Sequence, residues 1–443
     1  MKKIIFFLLY FLSPLLPIAA IYYSNPGYYG GSARTPMILG SIAYTWLNAQ
    51  LVISARPKLM ESVFGLDRVF RFHSVMPILA IAAAILHKFM KDDMFEESFK
   101  TKSGDAAIVI FIVISVLALV FLIDTLVRII KPLKYLTNIA NKLYIGKYNV
   151  QKILHNATVA AVILIFIHVM LSFSARNTYV KSVYILYFSA AMAFYLYHKV
   201  VRRYFLSKRF IVEKIEKDSD TMFTLTMKPE NGKMFRYKPG QFGFLRIKSK
   251  GISGEEHPFS ISSQPANKEY ITMTIKNLGD WSAAVGNVEP GSKAIIDAPY
   301  GRFNPALYPC DNGIVLIAGG VGITPMLSIL RDFYQNKRDQ KVMLIWGVNT
   351  RSERICNDEF NAFERDMKNF VLVPVIAREP DYQGEKGFVT DALIDRVLTA
   401  HGFDIAEQQY FVCGPAIMQN GILKILRAKG IRNKQIHYES FSL

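Results

Sequence analysis

Six apolar runs, each long enough to cross a bilayer, occupy the first 206 residues. They are roughly 4–23, 36–55, 69–90, 106–130, 153–175 and 180–201. A hydrocarbon core takes about 20 helical residues per crossing, and a backbone in lipid must satisfy its own polar groups as helix. This part of the chain is therefore expected to be a six-span α-helical bundle. The last two spans are joined by the short hairpin "ARNTY". A chain of 443 residues has room for two or three domains.

Charge orients the bundle. The chain carries a formal net charge of +18, unevenly placed. Residues 1–206 hold 22 Lys and Arg against 8 Asp and Glu, a net +14, while residues 207–443 hold 31 against 27, a net +4. The excess flanks apolar spans, which argues against nucleic acid as a partner and for a lipid surface. With the N-terminus inside, 15 basic residues fall in inner segments and seven in outer ones. The outer segments also hold Asp92, Asp93, Glu96, Glu97 and Asp105. Basic residues prefer the cytoplasmic side, so a cell-membrane protein is expected, with its N-terminus and long C-terminal half in the cytoplasm. The start, "MKKIIFFLLYFLSPLLPIAA", has the form of a signal peptide, but its apolar run continues into "IYY", which favours a retained span. The three cysteines, Cys310, Cys356 and Cys413, form no CxxC pair. Structural zinc, a disulfide framework and covalent haem attachment are therefore not expected.

Four of the eight histidines lie inside the spans: His73 and His87 in the third, His155 and His168 in the fifth. Ionisable groups in lipid are costly, so a functional use is the first reading. Fourteen and thirteen positions correspond to about 21 and 20 Å of helix. Both spans run outward, so His73 faces His155 at the inner leaflet and His87 faces His168 at the outer. Two cross-helix pairs at two depths suit two haems, each with imidazole on both axial positions. Fourteen steps return to within about 40° of the starting face, whereas thirteen miss by about 140°. The fifth helix is therefore expected to need a kink, a bulge or a rotated ligand approach. A proton relay is the rival use, but it would not need matched depths.

The chain changes character after "RRYFLSKRF". Residues 207–305 alternate in short strands and predict an antiparallel β-barrel. Residues 306–443 alternate strand and helix and predict a doubly wound parallel sheet. In "HPFSISS" (His257, Pro258, Phe259, Ser260, Ile261, Ser262, Ser263) a Pro-Phe kink beside hydroxyls suits a flavin, although a plain barrel loop reads alike. In "KNLGDWSAAV", Gly279 breaks a strand and a helix begins near Trp281 and Ser282. With Lys276 beside it, that start suits a pyrophosphate, although a capped helix would look the same. In "LIAGGVGITPMLSIL" a strand runs into Gly319, Gly320 and Gly322, with Thr324 as expected N-cap and Pro325 as first helical residue. Glycines let a phosphate approach the backbone. "VCGPAIM" places Cys413, Gly414 and Pro415 at another strand's carboxyl end, where ligands bind. After "LIWG" there are Arg351 and Arg354 in place of a ribose-binding acid. That favours NADPH, with NADH possible.

These motifs, with "DAPYG", together resemble the NADPH oxidase and ferric reductase superfamily over nearly the whole chain. The resemblance implies a six-helix di-haem membrane domain (1–206), an FAD-binding domain (207–305) and an NAD(P)-binding domain (306–443). It implies electron flow from NADPH through FAD and two b-type haems to an acceptor outside. Ser260 would lie by the reactive flavin nitrogen, Cys413 by the nicotinamide, and Phe441 would cover the flavin. Arg34, in "SARTPM", matches an arginine near the outer haem, while Lys91 departs from the histidine that animal oxidases carry. Superoxide formation from O2 is the leading expectation. A ferric-chelate reductase, a donor to an outside redox partner, and a channel with a regulatory nucleotide domain are the alternatives. No segment points to an obligatory protein partner.

Overall fold

A computed structural model describes residues 2–24, 31–90, 99–122, 148–172, 174–205 and 207–439. The chain forms two compact units, residues 1–202 and 203–443.

The first unit is helical. Its helices are α1 (Lys2–Leu12), α2 (Leu15–Ser24), α3 (Gly31–Ser54), α4 (Lys58–Phe64), α5 (Leu66–Phe89), α6 (Phe99–Leu122), α7 (Tyr148–Met170) and α8 (Thr178–Leu196). The expected spans are mostly helix where residues are described, the first being broken by a turn at Ser13–Pro14 and the fifth ending its α-helix at Met170; 123–130 of the fourth and residue 173 of the fifth lie outside the described residues. By length and composition four stretches can cross a membrane: 2–24, 34–54, 66–89 and 178–205. The apolar part of α7, Leu154–Met170, is shorter. Asn177 starts α8, its Oδ1 accepting from the backbone of Tyr179 and Val180 at 2.9 and 3.3 Å, as an N-cap should. At the centre, α3, α5, α6 and α7 meet through Leu47, Ala80, Ala107 and Ala161. The three alanines are fully buried. Such small side chains let helices approach closely where dispersion, not water, drives packing. Outward faces are apolar: Leu9, Val75, Leu79, Val109 and Leu186 are all exposed.

The second unit has two sheets. Strands β1 (Lys208–Ser219), β2 (Met222–Pro229), β3 (Phe242–Lys248), β4 (His257–Ser260), β5 (Ile271–Lys276) and β6 (Lys293–Tyr300) form an antiparallel sheet ordered β4-β3-β6-β1-β2-β5. Its two edges approach each other where Ser262 N donates to the Thr272 carbonyl at 2.9 Å. The barrel interior is filled by Phe210, Leu225, Leu245, Met273 and Ile296. The second sheet is parallel throughout, ordered β10-β9-β8-β7-β11-β12. It comprises β7 (Ile314–Gly319), β8 (Val342–Val348), β9 (Phe370–Ile376), β10 (Glu385–Lys386), β11 (Gln409–Cys413) and β12 (Ile436–Tyr438). All six residues of β7 are buried, which is why its sequence is continuously apolar rather than alternating. Short helix α9 (Asp280–Ala284) follows β5. Helices α10 (Ile323–Gln335), α11 (Asn357–Asp366), α12 (Asp391–Ala400) and α13 (Ala416–Ala428) connect the parallel strands. They cover the sheet's two faces, around Leu316 and Leu344 on one and Val315 and Ile345 on the other. The strand order reverses between β7 and β11, so a crevice for ligands opens at their carboxyl ends.

Candidate functional site

The four histidines of α5 and α7 meet in two pairs. The ring centroids of His73 and His155 are 6.1 Å apart and those of His87 and His168 6.3 Å apart. An imidazole nitrogen binds a metal at about 2.0–2.1 Å and its ring centroid lies about 1.1 Å behind, so one metal shared by two imidazoles separates the centroids by about 6.3 Å. Both pairs fit that span. The second ring nitrogens of the two α5 histidines are engaged as well. His87 Nδ1 lies 2.6 Å from the Pro36 carbonyl, so Nδ1 carries the proton and Nε2 the lone pair. His73 Nδ1 lies 2.9 Å from Gln50 Oε1. A fixed tautomer of this kind accompanies nearly every metal-bound histidine. Among the described residues no group of three or more His, Cys, Asp or Glu could hold a metal.

Two glycines make room for the rings. A Cβ on Gly40 would stand 3.1 Å from His87 Nδ1 and Cε1, and one on Gly104 would stand 2.7 Å from His168 Nδ1. Helix α7 is α-helical from Tyr148 to Met170, without a bulge. The thirteen-residue spacing is therefore absorbed by how the rings approach their partners. Arg34, in the first turns of α3, donates to the Tyr22 hydroxyl at 3.2 Å and lies over the same ring. It stands two residues from the carbonyl that holds His87.

In the second unit β7 and β11 bring two of the expected motifs together. Cys413 pairs in register with Ala318. A Cβ on Gly322 would stand 2.2 Å from the Cys413 carbonyl oxygen, and one on Gly414 would stand 3.1 Å from Gly319 N and Cα. Gly320 has φ +52°. The turns 319–322 and 413–415 therefore touch backbone to backbone, which any side chain would prevent. Burial pushes the Cys413 thiol up to about 12, and the charge of Glu439 adds to it. At neutral pH it is a protonated thiol. Glu439, which sequence motifs did not single out, also accepts from Arg302 N. Phe441 lies outside the described residues, as does Lys91.

The flavin loop is clamped from the nucleotide side. Ser328 Oγ donates to the Ser263 carbonyl at 2.7 Å, and Arg331 Nη1 donates to the Ser262 carbonyl at 2.8 Å. Both donors sit on α10, the helix that starts at the glycine turn, and Glu359 holds Arg331 through two bonds. Ser260, on β4 opposite Phe242, is buried. Phe259 stacks on Trp281, with centroids 5.5 Å apart, and His257 packs on the same indole at 4.5 Å. Tyr237 donates its hydroxyl to the Gln264 carbonyl at 2.8 Å, fixing the loop's far end.

Three details differ from expectation. Thr324 is not the N-cap: a 3-10 turn, Gly320–Gly322, precedes the helix, and Thr324 Oγ1 instead donates back to the Val321 carbonyl at 3.0 Å. Pro325 is accordingly the third helical residue, where its missing N–H still costs nothing. At α9, Ser282 Oγ accepts from Leu278 N and Gly279 N at 2.9 and 3.0 Å, so those two donors are committed within the turn. Lys276 lies 3.8 Å from Glu353, facing the glycine turn. Arg351 is engaged by Glu379 and by Asp381, the latter at 2.9 Å. Arg354 differs: its Nε is buried with no hydrogen-bond partner among the described residues.

Comparison with known proteins agrees with this geometry. Residues 207–304 match the FAD-binding domain family and residues 316–424 the oxidoreductase NAD-binding domain family. The glycine betaine monooxygenase reductase subunit of Chromohalobacter salexigens is 27% identical over 218 residues, 47% of this chain and 57% of that protein. A flavohemoprotein of Halalkalibacterium halodurans is 28% identical over 255 residues, 53% of this chain and 59% of that one. The chain spans between about half and two-thirds of the length of such relatives. Among solved structures, flavohemoglobin from Malassezia yamatoensis shares the fold at a TM-score of 0.51 and 17% identity, covering 96% of this chain and 98% of that one. The second unit is thus an FAD-binding domain followed by an NAD-binding domain. Those are the two nucleotide-binding domains that an NAD(P)H oxidoreductase uses.

Proposed function

We propose that this oxidoreductase works across a membrane. NAD(P)H reduces FAD in the cytoplasm, electrons pass one at a time to two b-type haems, and an acceptor outside receives them. The division is 1–206 for the membrane domain, 207–305 for FAD and 306–443 for nucleotide. The observation that carries the reading is the pair of histidine pairs, on helices running the same way, each with the centroid separation of a shared metal. The exposed apolar faces of α1, α5, α6 and α8 and the basic inner segments support a bilayer around them.

His73 and His155 would hold the inner haem, His87 and His168 the outer. When bound, these groups supply one-electron transfer. The chain's own residues prepare the reductase end. The glycine turn and the Cys413–Pro415 turn leave a backbone-lined crevice for the nicotinamide ribose and phosphates. The protonated Cys413 thiol offers a neutral wall that takes no proton from the nicotinamide. Ser260 lies in the flavin loop, which α10 holds still. Arg354 is the candidate partner for a 2′-phosphate.

The acceptor is O2, reduced to superoxide, two per NAD(P)H oxidised. Arg34, beside the segment that holds His87, would attract it. A second reading is a protein acceptor, favoured by relatives named as reductase components of monooxygenases. The test is NADPH oxidation by the purified full-length protein with and without O2, following dismutase-sensitive cytochrome c reduction, with a ferric chelate as competitor. Two haems in the reduced-minus-oxidised spectrum and dismutase-sensitive reduction are expected. Absence of b-type haem would overturn the transmembrane path, and chelate reduction that outcompetes O2 would make the protein a ferric reductase.

A further inference from the structure

The two histidine pairs differ in what stands behind them. Behind His87 is a main-chain carbonyl, that of Pro36. Behind His73 is a side chain, Gln50, 23 residues away on α3. Gln50 is 7% exposed and its amide is held at both ends. Its Oε1 faces His73 Nδ1, and its Nε2 donates to the Tyr10 hydroxyl at 2.8 Å. Tyr10 is itself locked. Its ring stacks on Trp46 at 5.8 Å and meets the edge of Phe72, next to His73, at 4.8 Å. A buried amide with both ends engaged does not turn over freely, because a flipped amide in an apolar site leaves a donor facing a donor.

We propose that Gln50 is a positioning residue for the inner histidine pair, and that through His73 it sets the redox potential of the inner haem. The proposal rests on the function proposed above. With the amide oxygen toward His73, the histidine must carry its proton on Nδ1, which leaves the Nε2 lone pair for the metal. Accepting that proton also raises the basicity of the ring. A more basic axial imidazole favours the ferric over the ferrous state, so the bond holds the inner potential low. At the corresponding nitrogen the outer histidine His87 leans on the main-chain carbonyl of Pro36. Changes at Gln50 should therefore move one haem and leave the other.

The experiment is a spectroelectrochemical titration of the full-length protein in detergent micelles, for wild type, Gln50→Leu, Gln50→Glu and Tyr10→Phe. In Gln50→Leu one haem is expected to shift upward by about tenfold in its ferric-to-ferrous preference, about 59 mV for a one-electron couple. The other haem should titrate as in wild type. Gln50→Glu, which restores an acceptor, should return that haem to its wild-type potential or below. Tyr10→Phe frees the amide without removing it and should give a smaller upward shift. If Gln50→Leu does not accumulate, the Glu and Phe variants decide the question by the same signs. A packing role alone would leave every potential unmoved. Two wild-type haems with no shift in any variant overturn this proposal and leave the transmembrane path standing. A wild-type protein without haem removes both.

Discussion

Gly104 offers the sharpest test of the histidine geometry, because two effects of one methyl group have opposite signs. Replacing a helical glycine by alanine ordinarily favours the helix by about 1 kcal/mol. Here the new Cβ would stand 2.7 Å from His168 Nδ1 and 3.0 Å from its Cε1. That is about 0.7 Å short of the roughly 3.4 Å at which ordinary contact begins. A free histidine ring can swing away by that much at little cost. A ring bonded to a metal at about 2 Å cannot, since coordination distances hold within about 0.2 Å. Gly104→Ala should therefore fold and insert as well as wild type, yet lose 10–100-fold in affinity for the haem that His168 would ligate. The haem-to-polypeptide ratio, read by pyridine haemochrome and protein assay, should fall from two toward one. Gly40→Ala is the graded control. Its Cβ would stand 3.1 Å from His87, so a few tenths of an ångström suffice, and both haems should remain with a shifted spectrum. Full retention of two haems in Gly104→Ala would refute the ligand role of His168.

The remaining predictions concern the reductase unit. Arg354→Ala should lower kcat/KM for NADPH about tenfold relative to NADH, about 1.4 kcal/mol of selectivity. Arg351→Ala should leave the NADPH/NADH ratio within about twofold, since Glu379 and Asp381 already neutralise that guanidinium; equal effects of the two changes in steady-state kinetics would refute the distinction. Burial holds the Cys413 thiol near 12, so stopped-flow hydride transfer to FAD should show no thiol ionisation between pH 7 and 10. A rise with a midpoint near the ordinary thiol value of about 8.5 would contradict it. His437, stacked on Tyr308 at 3.6 Å and bonded to Gln409, is pushed down to about 4 by burial, with the charge of Arg302 adding. The unfolded chain then binds the extra proton first, so stability is full above pH 6.5 and falls as pH drops toward 4, by about 2 kcal/mol at pH 5. Flavin-release melting should show that fall, and His437→Gln should flatten it.

What sequence revealed and what it hid divide by range. Helices are written locally, in unbroken apolar runs, so the helical segments and the pairing of the four histidines were legible. So were the glycine and "VCGP" turns, because a strand-turn-helix motif is contiguous. Their contact was not, since it depends on β11 sitting beside β7, almost 100 residues away in the chain. Nor was the capture of Arg351 by Glu379 and Asp381, which makes an exposed cation a poor phosphate ligand. Gly40, Gly104 and Gln50 look like ordinary helix residues until the rings they serve are placed against them. Thr324 was misassigned because a 3-10 turn of three residues moved the helix start.

The three cysteines carry a consequence for endurance. Burial lifts Cys310 to about 12 and Cys356 to about 11, alongside Cys413. At pH 7 fewer than about one thiol in ten thousand is ionised at any of them, and oxidants attack the ionised form. Under the function proposed above, a reductase that hands single electrons to oxygen would make corrosive products in its own neighbourhood. With its thiols held protonated, such a protein would offer that output few thiolates to attack. For the same reason its thiols give a cell no oxidisable handle for switching it off.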